Sequence, residues 1–300
     1  MSMRIFTLLM LTFILSTARM AGQDIILEPL FEYPEAPGEL PDLESKSNYL
    51  VSNFWRQFDF DVSSVGQLQL NHAFHVYASA MPWANKPVVD DSVDHLIDKV
   101  KKKPGLLYQF CVAAEDALHG KNAEFWIDDV YLKFLDALSK NRKIAATSGA
   151  GRMLCHRMPL VNSQIGGDFP GLVVKGSDAM EHEFTPSAGL SLIVAGSLSD
   201  SECRMARLRL DTDFALQKYI SDKLLSVWLI VPERQDMSDE DMELSLCPAS
   251  WVSGSCMGLE ESLDLRMTPA LYLVDNGGKI LAKNIDVDNM VKRIKSILEK

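Results

Sequence analysis

The run from Leu190 to Leu210 constrains this chain more than any other stretch. Leu190 to Ala195 is apolar, long enough for a buried strand and too short for a core helix. Gly196 to Asp200 is small and polar and breaks the run. Ser199, Asp200 and Ser201 are N-cap candidates, because a side-chain oxygen there accepts from the open N–H groups of a first helical turn. A helix is expected from Ser201 to about Ile220, with a kink or restart at Asp211-Thr-Asp213 and Cys203 in its first turn. The pattern is a strand, a tight turn and a helix that opens on a cysteine.

The first residues read as a cleaved export signal over 1–22. One basic residue, Arg4, precedes the apolar run Ile5–Leu15, and Ser16-Thr-Ala18 offers small residues for cleavage. Cleavage after Ala18 is expected, with Ala21 and Gly22 as alternatives. The run is shorter than the ~20 residues of a membrane span, and no cysteine before Cys111 offers a lipoprotein site. The mature chain is therefore expected to be periplasmic or secreted, with no membrane span.

Residues 23–46 read as a linker, since Pro29, Pro34, Pro37 and Pro41 forbid regular helix. From 47 to 158 the apolar residues recur at helical spacing, so an all-α domain is expected. Its stripes are Tyr49, Leu50, Phe54, Trp55 and Phe58; Val89 to Val100; Leu107 to Leu118; and Phe125 to Leu138, with a weaker helix over 144–158. His72 and His75 stand three apart, but no third ligand is nearby, so a solvated or capping role is expected and no metal.

From 159 to 300 strands and helices mix. Strands are expected near 168–175, at 190–195 and at 224–231, with a hairpin over 270–283 turning at Asp275-Asn-Gly-Gly278. Val287, Met290, Val291, Ile294, Ile297 and Leu298 mark a closing amphipathic helix. This is an α/β arrangement with one βαβ unit.

These features together resemble a TlpA/ResA-type thioredoxin-like domain. The resemblance rests on Gly166-Gly-Asp-Phe169, the strand-to-helix turn at 196–203, Thr268-Pro269, and the closing hairpin and helix. Trp251 stands where such domains often carry a tryptophan. Residues 47–158, above all the segment Ser52 to Phe60, are similar to a helical domain of unknown function that precedes thioredoxin-like domains in exported bacterial proteins. The resemblance implies a cis-proline at Pro269 and a CxxC pair whose first cysteine attacks and whose second resolves. The first position is Asp200 here, and Cys203 matches the second. A carboxylate cannot form a mixed disulfide, and one thiol cannot cycle as an intramolecular dithiol.

Three functional readings follow. The groove beside Asp200, Trp251, Thr268 and Pro269 binds a protein or extended peptide without exchange chemistry. Alternatively, Cys203 serves a monothiol redox role, with Arg204 and Arg207 favouring its thiolate or forming only a solvated helix face. Or the protein is structural in the cell envelope. Of the five cysteines, Cys247 and Cys256 bracket a short loop and form a possible disulfide, and the odd total leaves at least one thiol over in a monomer. A net charge of −11 argues against nucleic acid. No GxSxG, GxxxxGK[ST], HExxH or paired CxxC occurs, so no cofactor or metal is expected.

Overall fold

The computed structural model describes residues 19–20, 23–24, 27–120, 123–176, 180–186, 189–234, 236 and 238–299. Of the expected signal segment over 1–22 only Arg19–Met20 is described, paired antiparallel with Gln23–Asp24, and Ala18, Ala21 and Gly22 lie outside the described residues. The chain forms two compact units, Met1–Leu154 and Cys155–Lys300.

The first unit is helical: α1 (Leu43–Asn53), α2 (Gln67–Ala80), α3 (Lys86–Val100), α4 (Pro104–Leu118), α5 (Asp128–Lys140), α6 (Arg142–Ala145) and α7 (Ser148–Leu154). Helix α1 starts earlier than the apolar stripe, because Asp42 accepts from Ser45 N–H at 2.7 Å and caps it. It tightens into a 3-10 turn over Phe54–Gln57. Phe54, Trp55 and Phe58 are all buried. Ring contacts join them to Tyr77 on α2 and Phe110 on α4, at centroid separations of 5.1–5.6 Å. The proline-rich segment joins this core too, since Phe31 meets Phe54 and Trp55, and Tyr33 stacks on Phe54. Three short helices replace the single weak one expected over 144–158: α6, α7 and, in the second unit, α8 (Arg157–Asn162). At Gly149 an added Cβ would lie 2.3 Å from Tyr108 Oη, so a larger residue there would push the tip of that side chain aside.

The second unit continues with β1 (Val173–Gly176), β2 (Glu181–Glu183), β3 (Leu190–Ala195), α9 (Ser201–Asp211), α10 (Phe214–Ser221), β4 (Leu225–Pro232), α11 (Ser238–Leu244), β5 (Val252–Cys256), α12 (Leu259–Ser262), β6 (Ala270–Val274), β7 (Ile280–Lys283) and α13 (Val287–Leu298). The sheet order is β2-β1-β5-β4-β3-β6-β7. Strand β3 pairs in parallel with β4 and β4 with β5, so two parallel crossovers exist where the sequence suggested one. Strands β6 and β7 close the far edge antiparallel.

Alternation along the central strands explains why they are apolar except at Ser191 and Ser226, whose hydroxyls bond each other at 3.0 Å. Leu192, Val194, Val227, Leu229, Leu271 and Leu273 face one side, against Cys203, Leu210, Leu216 and the α13 residues Met290 and Ile294. Ile193, Ala195, Trp228, Ile230 and Tyr272 face the other, against Phe169, Phe184 and Leu259. Asp213 starts α10 afresh by accepting from Ala215 and Leu216 N–H at 2.9 and 3.1 Å. The restart at Asp211-Thr-Asp213 is therefore a second cap.

Candidate functional site

Strand β3 delivers the chain to the site. Its last residue, Ala195, pairs with Ala270 of β6, so Gly196 emerges beside Pro269. Gly196 adopts φ +150°, a conformation side chains disfavour. An added Cβ there would lie 2.8 Å from Cys203 Sγ and 3.7 Å from Pro269 Cα. The missing side chain is what lets β3, the first turn of α9 and the Thr268-Pro269 step converge. The Thr268-Pro269 bond is cis. Thr268 is exposed and Pro269 buried.

The turn between β3 and α9 is held by its own polar atoms. Asp200 N–H donates to Ser197 O at 3.2 Å. Arg204 Nη1 donates to the carbonyls of Leu198 and Ser199, each at 2.8 Å. Asp200 is the N-cap of α9, its carboxylate accepting from Glu202 N–H at 2.8 Å, and it is exposed. Three residues on, the chain turns inward and Cys203 is 2% exposed, packed with Leu198, Ala206 and the β-strand side chains. At this site the solvent-facing position thus carries a carboxylate and the buried one a thiol.

Arg207 does not lie on a solvated helix face. It is 5% exposed and donates from Nη1 to Leu246 O at 2.9 Å and from Nη2 to Glu243 Oε2 at 3.2 Å, tying α9 to α11 and to the segment after it. Trp251 is buried in the same apolar cluster as Cys203, just before β5, and its indole N–H is sealed from water with no acceptor among the described residues.

The possible Cys247–Cys256 disulfide is not formed, and neither cysteine belongs to any other. Cys247 packs against the cluster on the α9 side of the sheet, whereas Cys256, the last residue of β5, points into the opposite cluster. The segment 247–256 is not a loop closing on itself: its second half is a strand inserted between β1 and β4. Burial raises the Cys247 thiol pKa, with Arg207 and Ser253 opposing, and burial likewise raises that of Cys256. Cys155 is exposed and Cys111 buried.

Behind the Thr268-Pro269 step lies an anchor the sequence reading missed. Asp264 is 3% exposed. Its carboxylate accepts from Arg266 Nε and Nη2 at 2.8 and 2.7 Å, from Lys283 Nζ at 3.4 Å and from Asn284 Nδ2 at 3.3 Å. Its backbone is gripped as well. Asp264 N–H donates to Ser163 Oγ at 3.0 Å, and Tyr272 Oη donates to Asp264 O at 2.5 Å. Burial works against the charged form, but the Arg266 and Lys283 charges and the hydrogen bonds outweigh it and hold this carboxyl well below the usual range.

In the first unit His72 and His75 face different partners. His72 Nδ1 lies 3.1 Å from Tyr33 Oη, and His75 Nε2 lies 3.0 Å from Asp116 Oδ2. Among the described residues no group of three metal-ligating side chains gathers, and no helix is long and apolar enough to cross a membrane.

Comparison with known proteins agrees with this architecture. Residues 14–152 match the family model described as "Domain of unknown function (DUF5106)". The structure is similar to that of a thioredoxin-like protein from Bacteroides caccae, with 17% identity, 89% of this chain and 99% of that chain covered, and a TM-score of 0.70. It is also similar to a thiol:disulfide interchange protein from Bacteroides sp., at 17% identity over 46% of this chain and 93% of that chain, with a TM-score of 0.39. No curated protein matches the sequence. The chain therefore combines a helical N-terminal region that matches the DUF5106 model with a C-terminal domain of thioredoxin-like fold.

Proposed function

We propose that this is an exported thioredoxin-like protein that has lost the nucleophilic cysteine of CxxC. In this reading its C-terminal domain binds an extended protein segment beside Thr268-Pro269 without thiol exchange. One observation carries it: the exposed position that opens α9 is Asp200, a helix cap, while the thiol beneath it is 2% exposed. Thiol exchange requires an accessible thiolate. Asp200 supplies accessibility without sulfur, and Cys203 supplies sulfur without accessibility. Thr268 is exposed and leads into Pro269 beside Gly196, an edge where an extended chain can add its own N–H and C=O groups. The apolar run Ile5–Leu15 and the small residues at 16–18 support export to the periplasm or beyond.

Alkylation of the purified mature protein, followed by mass spectrometry with and without reductant, tests the chemical half. Cys155 is expected to react first and Cys203 only after unfolding. If Cys203 alkylates in the native protein near neutral pH, or is recovered in a reducible mixed disulfide, the non-catalytic reading is wrong. Selection of displayed peptides against the whole protein tests the binding half. Binders should lose affinity to Thr268→Trp, which fills the edge with a bulky ring, and binders indifferent to it would move the site elsewhere.

A further inference from the structure

We propose that the helical N-terminal unit has a ligand site of its own, for a small amphiphilic anion. The site is a groove of about 480 Å³ between α1, with its 3-10 extension, and α3. Small-molecule sites typically span roughly 300–1,000 Å³ and combine an apolar body with a few polar groups. This groove has that division. Trp55, Phe60 and Leu96 supply apolar wall, while Arg56, His95 and Lys99 supply basic groups.

The lining is ordered by helix geometry. On α3, Val88, Ser92, His95 and Lys99 recur at three- and four-residue intervals and share one face. Opposite them, Trp55 is fixed by ring contacts to Phe54 and Phe110, both at 5.1 Å. Ser92 is fixed as well: its hydroxyl donates to Val51 O at 2.7 Å and lies 2.7 Å from Tyr77 Oη. A wall built from such residues does not need to be reorganised when a ligand arrives.

Charge selects the ligand. Among the described residues neither Arg56 nor Lys99 has a carboxylate partner, whereas Lys133 and Arg152 of the same unit are paired with Asp90 and Glu115. Asp91 is the one acidic residue in the lining, so the groove carries local positive charge on a chain of net charge −11. A guanidinium and an ammonium above an aromatic and aliphatic wall suit a molecule with one anionic head and an apolar body.

The probe is 1-anilinonaphthalene-8-sulfonate, titrated into the whole mature protein by calorimetry. One saturable site is expected. Arg56→Ala/Lys99→Ala should weaken it about tenfold or more, the scale of a lost charge-assisted contact. Raising the salt concentration should weaken it too. The uncharged analogue N-phenyl-1-naphthylamine should bind correspondingly less tightly. Both substituted side chains are exposed, and circular dichroism checks that the variant is folded. Because this probe also adheres to exposed apolar surface such as Phe214, the differences decide the matter. No saturable binding, equal affinity in the double variant, or equal affinity of the uncharged analogue would each overturn the proposal.

Discussion

Adding a single methyl group at Gly196 should measure how tightly the candidate site is closed. In Gly196→Ala two costs add. The first is conformational: φ is +150°, a region nearly reserved for glycine, and holding another residue there costs about 1–3 kcal/mol. The second is steric. The new Cβ would lie 2.8 Å from Cys203 Sγ, against ordinary contact near ~3.5–4.0 Å. Cys203 is packed into the first turn of α9 and cannot swing into solvent, so overpacking costs a further ~1–3 kcal/mol. The expected total is about 3 kcal/mol or more, a large share of a typical stability of ~5–15 kcal/mol. Unfolding of the C-terminal unit can be followed alone by urea-dependent alkylation of Cys256, which is buried on the opposite sheet face. Cys203→Ala removes the atom in the way, so in the double variant the steric part should return while the conformational part stays. A coupling of about 1–2 kcal/mol is expected between the two substitutions. Additivity within ~0.5 kcal/mol, or a loss under ~1 kcal/mol for Gly196→Ala alone, would refute the convergence of Gly196 and Cys203.

Three further outcomes follow from the same geometry. Asp200→Ala removes the α9 cap and should cost about 1 kcal/mol in the same alkylation assay, while Asp200→Asn, which keeps an acceptor, should cost far less; equal losses would mean that the cap does not matter. Asp200→Cys is expected to form a disulfide with Cys203, seen as reductant-dependent alkylation, because the helix N-terminus stabilises a thiolate at that position; two freely alkylating thiols would show that the turn no longer suits a dithiol. The Asp264 carboxyl is held below its unfolded value of ~3.9, so its contribution to stability is complete above that pH and is lost as pH falls through and below it. A urea midpoint that drops between pH 5 and pH 3 in the native protein, but much less in Asp264→Asn, is the expected result. The Asp264→Asn variant should itself be weaker by about 3 kcal/mol at neutral pH, since Arg266 and Lys283 lose their buried counter-charge.

The sequence was most legible where burial on both sheet faces forced apolar runs broken only by one serine each, at Leu190–Ala195 and near Leu225–Pro232. It was also clear where one face was apolar and the other charged, as in Val287–Leu298. Of the elements that escaped it, two are instructive. Helix α2 buries Leu70, Ala73, Phe74, Tyr77 and Ala78, but small alanines and a polar-tipped tyrosine make a weak stripe. Strand β5 reads Val-Ser-Gly-Ser-Cys, with Val252 alone among the branched and aromatic residues that announce a strand. Gly254 is needed there because an added Cβ would meet Lys175 O at 2.2 Å. At the site, the cap could be read from local pattern, and the cis-proline step followed from the family resemblance. The contacts of Gly196, Arg207 and Asp264 could not, because each depends on segments far apart in sequence. Position 207 illustrates the limit: an arginine near the middle of a helix reads as solvated until a carbonyl from another element, Leu246 O, is found to hold it.

The Asp264 anchor also has a kinetic meaning. Residues 264–268 lead into the proline step by way of a backbone clamped from Ser163 and Tyr272 and a carboxylate clamped from Arg266, Lys283 and Asn284. A surface mounted on such a post has little freedom left to lose when something docks on it, so less of the contact energy goes into ordering the receptor. If the proposed binding takes place at this edge, encounters there should behave as rigid-body collisions, with association rates set by diffusion and charge and with discrimination residing mainly in how long the complex lasts.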